Sequence, residues 1–531
     1  MKIRHLFATS LATVLGVTAC GGGGGGDSFS NPPPTASTYT KGVFQPESGF
    51  ANKCAVPRSG TDPVTKVAYP DTMGSTTDEN NWLRSWTNDL YLWYSEVPDL
   101  DPRTATAVLD YFDELKTPAL TPSQHEKDRF HFTYGTAEWI ALSQSGVQAG
   151  YGFQVALLQG TPPRNVVIAY TDPGTPAASA GVTRGEKIVA VDGVDAINGN
   201  TQANVDTLNA GLFPDKSGEQ HSFTLQAQNG SQRTVTLTSA SVTSTPVQNV
   251  RAIDTQLGKV GYIQFNDHIG TAEDQLVAAI NQLKQQNVTD LVLDIRYNGG
   301  GYLDLASELA YMIAGPARTA GRTFELLHFN DKHPSTDPIT GQTITPTPFH
   351  TTTQGLGGTD GAALPTLNLS QVYLLTGPDT CSASESIINS LRGVDVQVYE
   401  IGSTTCGKPY GFYPEDNCGT TYFSIQFKGE NDKGFGDYPD GFSPQNTSPA
   451  DGYAIPGCSV ADDFSRALGD SAEGRLNAAL TFRASNNQTC PAASGSSGPS
   501  VLSKASSPEQ TGPLLRKSPL LMNRIMRVRP S

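Results

Sequence analysis

Two neighbouring stretches decide the fold: Val372-Tyr373-Leu374-Leu375-Thr376 and Thr380-Cys381-Ser382-Ala383-Ser384-Glu385-Ser386-Ile387-Ile388. The first is a short apolar run rich in β-forming residues, which predicts a buried strand. In the second, Ile387, Ile388 and Leu391 recur at helical spacing, so a helix is expected to begin close to Ser382. A strand that leads into a helix in this way predicts an α/β domain.

Ser382 is a candidate nucleophile at the start of this helix, where unpaired N–H groups favour negative charge. All eight histidines precede it and none lies in a recognisable catalytic motif, although sequence order alone leaves a histidine triad open. Lys408, in Cys406-Gly407-Lys408, is an alternative base if burial or positive potential lowers its pKa from about 10.4. The simpler interpretation is a helix cap and a surface charge.

These segments resemble motifs of the carboxyl-terminal processing peptidases, also called tail-specific proteases. Ser382 to Glu385 matches their nucleophile motif, Gly407-Lys408 their lysine turn, and Asp294-Ile295-Arg296-Tyr297-Asn298-Gly299-Gly300-Gly301 their glycine segment. The resemblance implies that Ser382 attacks and Lys408 is the general base. It also implies that Gly299 or Gly300, together with the N–H of Ala383, forms the oxyanion hole, and that no metal or organic cofactor takes part.

The chain departs from the family pattern four residues after the lysine, where many members carry glutamine and this sequence has Phe412. Glu385 is then the candidate for orienting Lys408. Two other functions stay open. One is a catalytically weak or inactive peptidase-like protein that binds C-terminal peptides. The other is a crotonase-like acyl-transforming enzyme, which the Ser/Lys pair fits poorly.

Residues 145–244 contain short strands and turns, and the run from Pro173 to Gly193 resembles a PDZ domain. The resemblance implies a carboxylate-binding loop at Gly150, Tyr151, Gly152 and Phe153, where backbone N–H groups capture a peptide C-terminus while the peptide adds as a strand. A packing module with a closed groove is the alternative.

The N-terminus has a basic start, a short apolar run from Leu6 to Val17, and then Val17-Thr18-Ala19-Cys20. This pattern predicts a secretory signal peptide, and the apolar run is too short for a membrane span. The last four residues resemble a bacterial lipoprotein cleavage box, which implies lipid on Cys20. Because Gly21 follows, we expect an exported lipoprotein anchored at the outer membrane. Ordinary secretion with Cys20 unmodified is the alternative.

Six cysteines remain after Cys20, and an exported chain with an even number of cysteines predicts disulfides. None of these cysteines has zinc-ligand spacing. Several pairings are open, and the pair Cys381–Cys406 matters most because its members flank the proposed nucleophile and base. The six are Cys54, Cys381, Cys406, Cys418, Cys458 and Cys490.

We therefore predict a multidomain α/β protein, with a crotonase/Clp-like catalytic fold implied by the resemblance. A net charge of −15 with 16% charged residues argues against nucleic acid as a partner, and the expected partners are proteins or peptides with exposed C-termini. Its predicted parts are a signal peptide (1–19), a lipidated flexible tether (20–80), an N-terminal helical region (81–144), a PDZ-like domain (145–244), a serine peptidase domain (250–490) and a disordered basic tail (491–531).

Overall fold

The structure, a computed structural model, describes residues 39–62, 66–448, 451–492, 500–502 and 523–526. The elements below lie in one compact unit that begins at Lys41. The predicted signal peptide and Cys20 lie outside the described residues, as do the basic tail residues Arg516, Lys517, Arg527 and Arg529. No helix in the described ranges combines the length and the apolar character needed to cross a membrane.

The N-terminal region contains a helix that begins at Thr76 and has Ser75 as its cap. Trp82 and Trp86 stack at a centroid distance of 5.3 Å and pack with Phe112 and Tyr422, so these aromatic side chains form a core. The elements of this region are β1 (Lys53–Cys54), β2 (Thr72–Met73), α1 (Thr76–Leu90), α2 (Val108–Asp113), β3 (Phe132–Gly135) and α3 (Thr136–Ser145).

Part of the predicted tether is folded. β1 pairs with β2, Phe50 packs into the same core as Trp82, and a disulfide joins Cys54 to Cys418 with a Cα–Cα distance of 5.4 Å. The Gly-, Ser-, Pro- and Thr-rich composition through about residue 48 indicated a flexible segment, and the predicted tether extended to residue 80. Composition could not reveal a cross-link to a partner 364 residues away, which fixes this part of the chain.

The small β domain, residues 147–243, is a mostly antiparallel sheet with two helices. Its strand order is β10-β9-β7-β6-β5, and β4 pairs separately with β11. Alternate side chains such as Val155, Ile168 and Phe223 form one buried core. The elements are β4 (Val147–Gly150), β5 (Phe153–Gln159), β6 (Asn165–Thr171), α4 (Pro176–Ser179), β7 (Lys187–Val191), β8 (Val194–Asp195), α5 (Gln202–Leu212), β9 (Gln220–Gln226), β10 (Gln232–Thr238) and β11 (Ala240–Thr243).

The α/β domain follows, from residue 247 to residue 492. Its elements are β12 (Val247–Thr255), β13 (Gly258–Phe265), α6 (Ala272–Gln285), β14 (Asp290–Asp294), β15 (Gly300–Tyr302), α7 (Leu303–Ala314), α8 (Pro316–Thr319), β16 (Thr323–His328), β17 (Thr347–Pro348), β18 (Thr352–Gln354), β19 (Asp360–Ala363), β20 (Gln371–Thr376), α9 (Ala383–Gly393), β21 (Gln397–Gly402), β22 (Tyr410–Gly411), β23 (Glu415–Asn417), β24 (Thr420–Phe423), β25 (Phe427–Glu430), β26 (Phe442–Pro444), β27 (Tyr453–Ile455), β28 (Gly457–Ser459) and α10 (Gly474–Ala484).

A six-stranded sheet organises this domain, with the order β12-β13-β14-β20-β21-β28 and parallel pairing from β13 onward. Both faces are covered. Leu291 and Leu293 point into a core shared with α6, α7 and α9, whereas Val292 and Tyr373 belong to a second core against α10. The mixed α/β class predicted from the strand-to-helix pattern is confirmed.

The small β domain and the α/β domain meet at a buried charged contact. Arg184 donates to Asp462 at 2.6 Å and to the hydroxyl of Tyr297 at 2.7 Å, and the ring of Tyr297 stacks on Tyr170. Arg296 also donates to Asp462, at 2.6 Å. The small β domain therefore rests on the segment that carries the predicted glycine motif.

The sequence predicted disorder throughout residues 491–531, but two stretches of this segment form strands: β29 (Ser500–Leu502) and β30 (Asn523–Ile525). β29 pairs with β5 and β30 pairs with β15. The reason lies in the tertiary structure, because each stretch forms its backbone hydrogen bonds with the edge of an existing strand. It therefore needs no hydrophobic core of its own.

Candidate active site

Ser382 lies where β20 leads into α9, as the sequence predicted. The loop before it is held by the glycine segment, because Cys381 N–H donates to the carbonyl of Asn298 at 3.1 Å and Thr380 Oγ1 donates to that of Ile295 at 2.8 Å. Ser382 has φ of +61° and ψ of −113°. A non-glycine residue in this region costs on the order of 1–3 kcal/mol, and such residues cluster at functional sites.

The Ser382 side chain is fully buried, and its Oγ has no hydrogen-bond partner among the residues that the structure describes. A buried hydroxyl without a partner is rare in native proteins and indicates a position prepared for another group. Ser382 is the N-cap residue of α9, and its backbone N–H donates to the Glu385 carboxylate at 2.9 Å.

Lys408 is the residue after Gly407, whose φ of +84° and close approach to the carbonyl of Pro439 require glycine. Its side chain is fully buried, with Nζ 5.0 Å from the ring centre of Phe130 and 4.2 Å from that of Phe412. Burial lowers the pKa of the Lys408 ammonium well below its usual range, although the negative charges of Asp128 and Glu385 oppose this effect.

Glu385 joins the nucleophile to the lysine turn. One of its carboxylate oxygens accepts from the backbone N–H of Ser382 at 2.9 Å and from that of Lys408 at 2.8 Å. The other oxygen accepts from Gly407 N–H at 2.8 Å and from the hydroxyl of Thr405 at 2.5 Å. The backbones of Ser382 and Lys408 therefore meet at a single oxygen. Burial raises the pKa of Glu385, while these hydrogen bonds act to lower it.

The segments that carry the predicted oxyanion residues are in contact, because Cys381 N–H and Ser384 Oγ both donate to the carbonyl of Asn298. Ala383 is the first residue of α9, so its N–H lies outside the hydrogen-bond ladder of the helix. Gly300 N–H already donates to Asn298 Oδ1 at 3.0 Å. Of the two glycines that the sequence left open, Gly299 is therefore the better partner for Ala383.

Two functional residues near the glycine segment have roles that sequence reasoning missed. Asn298 Oδ1 accepts from Gly300 N–H and also pairs with Nδ1 of His268 at 2.9 Å. Burial lowers the pKa of His268 to about 3, so its ring is neutral and fixes Asn298. Asn298 belongs to the quoted glycine motif, but no local pattern singled out His268.

The N-terminal region supplies one wall of the site, which the sequence also did not predict. Phe130 faces Lys408, Asp128 accepts from the hydroxyl of Tyr91 at 2.6 Å, and Arg129 donates to the carbonyl of Cys406. These residues come from a loop between α2 and β3 without helical or strand periodicity, so only the folded structure brings them to Lys408.

Cys381 and Cys406 form a disulfide with a Cα–Cα distance of 5.1 Å, which confirms the pair of most interest; the other two bridges are Cys54–Cys418 and Cys458–Cys490. Cys381, Glu385 and Cys406 are the group of potential metal ligands found in the described ranges. The two sulfurs are joined to each other, so they do not present the thiolates that a metal would need.

The proposed peptide-binding loop, Gly150 to Phe153, lies between β4 and β5 in the small β domain. It lines a cavity of about 270 Å³ together with Leu212, Phe213 and the end of α3. The hydroxyl of Tyr151 donates to the carbonyl of Gly211, so its ring is held inside the domain. The loop and the start of β5 therefore border an open cavity.

A family model described as peptidase family S41 matches residues 259–411, and one described as the peptidase S41 N-terminal domain matches residues 78–134. The chain is 30% identical over 206 residues to the carboxyl-terminal-processing protease of Picosynechococcus sp., covering 38% of this chain and 44% of that protein. It is 33% identical over 183 residues to the chloroplastic C-terminal processing peptidase of Tetradesmus obliquus, and this match covers 32% of this chain and 38% of that protein.

Among solved structures, the fold is similar to one from Bacteroides fragilis NCTC 9343 that is assigned to the S41 proteases, with 24% identity and a TM-score of 0.56. The similarity covers 79% of this chain and 99% of that chain. The fold is therefore similar to that of this solved structure, and its loop before α9 holds a buried serine. The two regions that match the family models, which together span less than half of the chain, are similar to peptidase family S41. The match spans less than half the length of the curated relatives.

Proposed function

We propose that this protein is a serine endopeptidase that uses Ser382 as nucleophile and Lys408 as general base. The observation that carries the proposal is the single Glu385 oxygen that accepts from the backbone N–H groups of both residues. This oxygen joins the backbones of Ser382, whose hydroxyl has no hydrogen-bond partner among the described residues, and of Lys408, whose pKa is lowered by burial. These are the two groups that nucleophilic catalysis requires.

In the proposed mechanism, neutral Lys408 Nζ takes the proton of Ser382 Oγ as Oγ attacks the peptide carbonyl carbon. The N–H groups of Gly299 and Ala383 stabilise the oxyanion of the tetrahedral intermediate. The Lys408 ammonium then gives its proton to the leaving amine, the C–N bond breaks, and an ester to Ser382 remains. Lys408 next takes a proton from water as the water oxygen attacks the ester carbonyl, the C–Oγ bond breaks, and the Lys408 ammonium returns a proton to Ser382 Oγ.

We propose that the small β domain is PDZ-like and selects substrates with exposed C-termini. Its support is the loop from Gly150 to Phe153, which borders a cavity and leads into β5. Such a loop captures a terminal carboxylate while the peptide pairs with the following strand. Export as a lipoprotein through Cys20 is proposed from the N-terminal sequence, and the three disulfides fit an oxidising compartment.

The proposal is tested with an unstructured polypeptide whose products are identified by mass spectrometry. We expect cleavage by the unmodified enzyme and none by Ser382→Ala, while Ser390→Ala, a change of a buried serine in the same helix, keeps activity. Amidating the substrate C-terminus should raise KM. Equal products from the unmodified enzyme and Ser382→Ala would refute Ser382 as nucleophile, and equal KM for acid and amide would refute the carboxylate role.

A peptide-binding protein without catalysis is the second candidate, and Phe412 is the observation that favours it. Its ring lies against Lys408 Nζ where family members carry an amide that holds the lysine. An aromatic face favours the charged ammonium, which cannot act as a base. Binding of C-terminal peptides with no hydrolysis at any pH up to 10 would establish this function instead.

A further inference from the structure

One described stretch of the C-terminal tail, which is defined here as residues 493–531, contacts the proposed peptide-binding edge of the small β domain. β29 pairs antiparallel with β5, with Ser500 opposite Leu157 and Leu502 opposite Val155. Without β29, β5 would be the edge strand of its sheet. From its N-terminal to its C-terminal residue, β29 runs along β5 toward Phe153. A bound peptide whose C-terminal end points at the proposed carboxylate loop would run in the same direction.

The same tail also contacts the catalytic groove. β30 pairs in parallel with β15, the strand formed by the glycine segment, with Gly300 opposite Asn523 and Tyr302 opposite Ile525. On its other side, Met526 N–H donates to the carbonyl of Phe412 at 3.1 Å. β30 therefore lies between the glycine segment and β22, the strand that follows Lys408. A substrate backbone would have to lie in the same place.

Met526 anchors this contact through its side chain. It packs against the main hydrophobic core and lines a small cavity with Leu303, Phe324 and Leu327. An apolar side chain in such a cavity is the usual way in which a bound extended peptide is held in register. With the tail in place, Ser382 and Lys408 have no exposed surface.

Charge favours the same arrangement. The tail contains six basic residues and one acidic residue, although the whole chain carries a net charge of −15. A basic segment is attracted to an acidic body, which increases the fraction of time that it spends bound. Twenty residues separate β29 from β30, and an extended segment of that length can span roughly 70 Å, so one tail can reach both sites.

We propose that the C-terminal tail is an intramolecular peptide ligand that occupies both the β5 edge and the catalytic groove, and that it inhibits the enzyme until a substrate displaces it. The inhibitory part of this proposal rests on the proposed function, while the binding part does not. A tethered ligand has an effective concentration that reaches the millimolar range, so a substrate at micromolar concentration competes poorly with it.

The binding part is tested in the full-length Ser382→Ala chain with a fluorescent synthetic peptide of residues 496–531. Met526→Asp places a carboxylate against the main hydrophobic core, in a cavity that Asp304 and Glu325 also line, and Ile525→Pro removes a backbone donor, so each should release the tail from the groove. We expect the peptide to bind both variants at least tenfold more tightly than the parent. Met526→Leu is the matched control and should bind like the parent, and a scrambled peptide should bind none of them.

Activity provides the second measurement, on chains that retain Ser382. Met526→Asp should raise kcat/KM several-fold on an unstructured polypeptide, mainly through a lower KM, whereas Met526→Leu should not. Tighter peptide binding without hydrolysis in any chain would refute the protease function and leave the tail proposal standing. Equal peptide affinity for the parent and both release variants, with fast hydrogen exchange in residues 523–526 of the parent, would overturn the tail proposal.

Discussion

Lys408 is a buried amine between two aromatic rings, and this environment determines whether it can act as a base. Burial lowers its pKa, and the charges of Asp128 and Glu385 oppose that shift. The faces of Phe130 and Phe412 also favour the charged form. Because the neutral amine is the active form, kcat/KM should rise with pH through the lowered pKa of Lys408.

The first prediction concerns the base itself. Lys408→Arg keeps the positive charge but cannot lose its proton, so kcat should fall by about 10²- to 10⁴-fold if Lys408 is the general base. The measurement is steady-state hydrolysis of an unstructured polypeptide, with circular dichroism to establish folding. A folded Lys408→Arg enzyme with nearly unchanged kcat would show that Lys408 is a structural cation.

The second prediction concerns Phe412, whose ring is 4.2 Å from Lys408 Nζ. Phe412→Leu keeps an apolar side chain but removes the aromatic face, so the ammonium loses roughly 0.5–2 kcal/mol of stabilisation. The pKa of Lys408 should therefore fall further below its ordinary value.

The rising limb of the kcat/KM profile should accordingly move to lower pH in Phe412→Leu. Phe329→Leu is a control, because it changes an aromatic residue of the same core that contacts Phe427. A limb that does not move in Phe412→Leu would show that the ring does not influence the lysine.

At the scale of elements, the start of α9 and the lysine turn are joined twice, by Glu385 and by the Cys381–Cys406 disulfide. The disulfide closes a loop with a sequence separation of 25 residues, and Cys458–Cys490 closes one of 32 residues elsewhere in the α/β domain. Loops of this size contribute about 3 kcal/mol each in the chain-entropy model. Their contributions to stability should therefore be similar.

The third prediction separates stability from catalysis. Replacing both Cys381 and Cys406 with alanine and, separately, both Cys458 and Cys490 should lower the free energy of unfolding by similar amounts. Only the first pair flanks Ser382 and Lys408, so only its loss should lower kcat at temperatures where both variants are folded. Equal effects on kcat would show that the Cys381–Cys406 bridge has a purely structural role.

At the scale of the whole molecule, Arg184 links the small β domain to the α/β domain through Asp462 and Tyr297. Burial raises the pKa of Asp462, but the charges of Arg184 and Arg296 lower it more, and the net pKa lies well below its ordinary value. A depressed carboxyl pKa contributes stability above its unfolded value of about 3.9, and this contribution is lost as pH falls.

The fourth prediction is that Arg184→Met lowers the free energy of unfolding by about 1.5–3 kcal/mol at pH 7, because Asp462 loses one of its two charged partners and keeps Arg296. This loss of unfolding free energy should become smaller as the pH falls below about 4, because the charged Asp462 carboxylate then contributes less to the stability of the folded state. Arg233→Met is the control, since Arg233 pairs with Glu186 within the small β domain and is partly exposed. Urea unfolding at both pH values measures the effect, and a pH-independent loss would contradict it.

The sequence by itself determined the catalytic segment. The apolar strand before Ser382, the helical spacing after it and the motifs around Gly299 and Lys408 are local patterns, so each could be recognised without knowing its neighbours. The pair Cys381 and Cys406 was singled out among several open pairings because its members flank the proposed nucleophile and base.

Only the tertiary structure decided the rest. His268, Asp128 and Phe130 reach the site from distant segments, and Cys54 finds Cys418 across 364 residues. The tail forms strands at residues 500–502 and 523–525 although its composition predicts disorder, since backbone pairing to an existing edge depends on geometry and not on side-chain pattern. Composition and periodicity indicate which side chains of a segment are buried. These contacts instead depend on where the fold places a strand edge, an aromatic ring or a charged group of a distant segment.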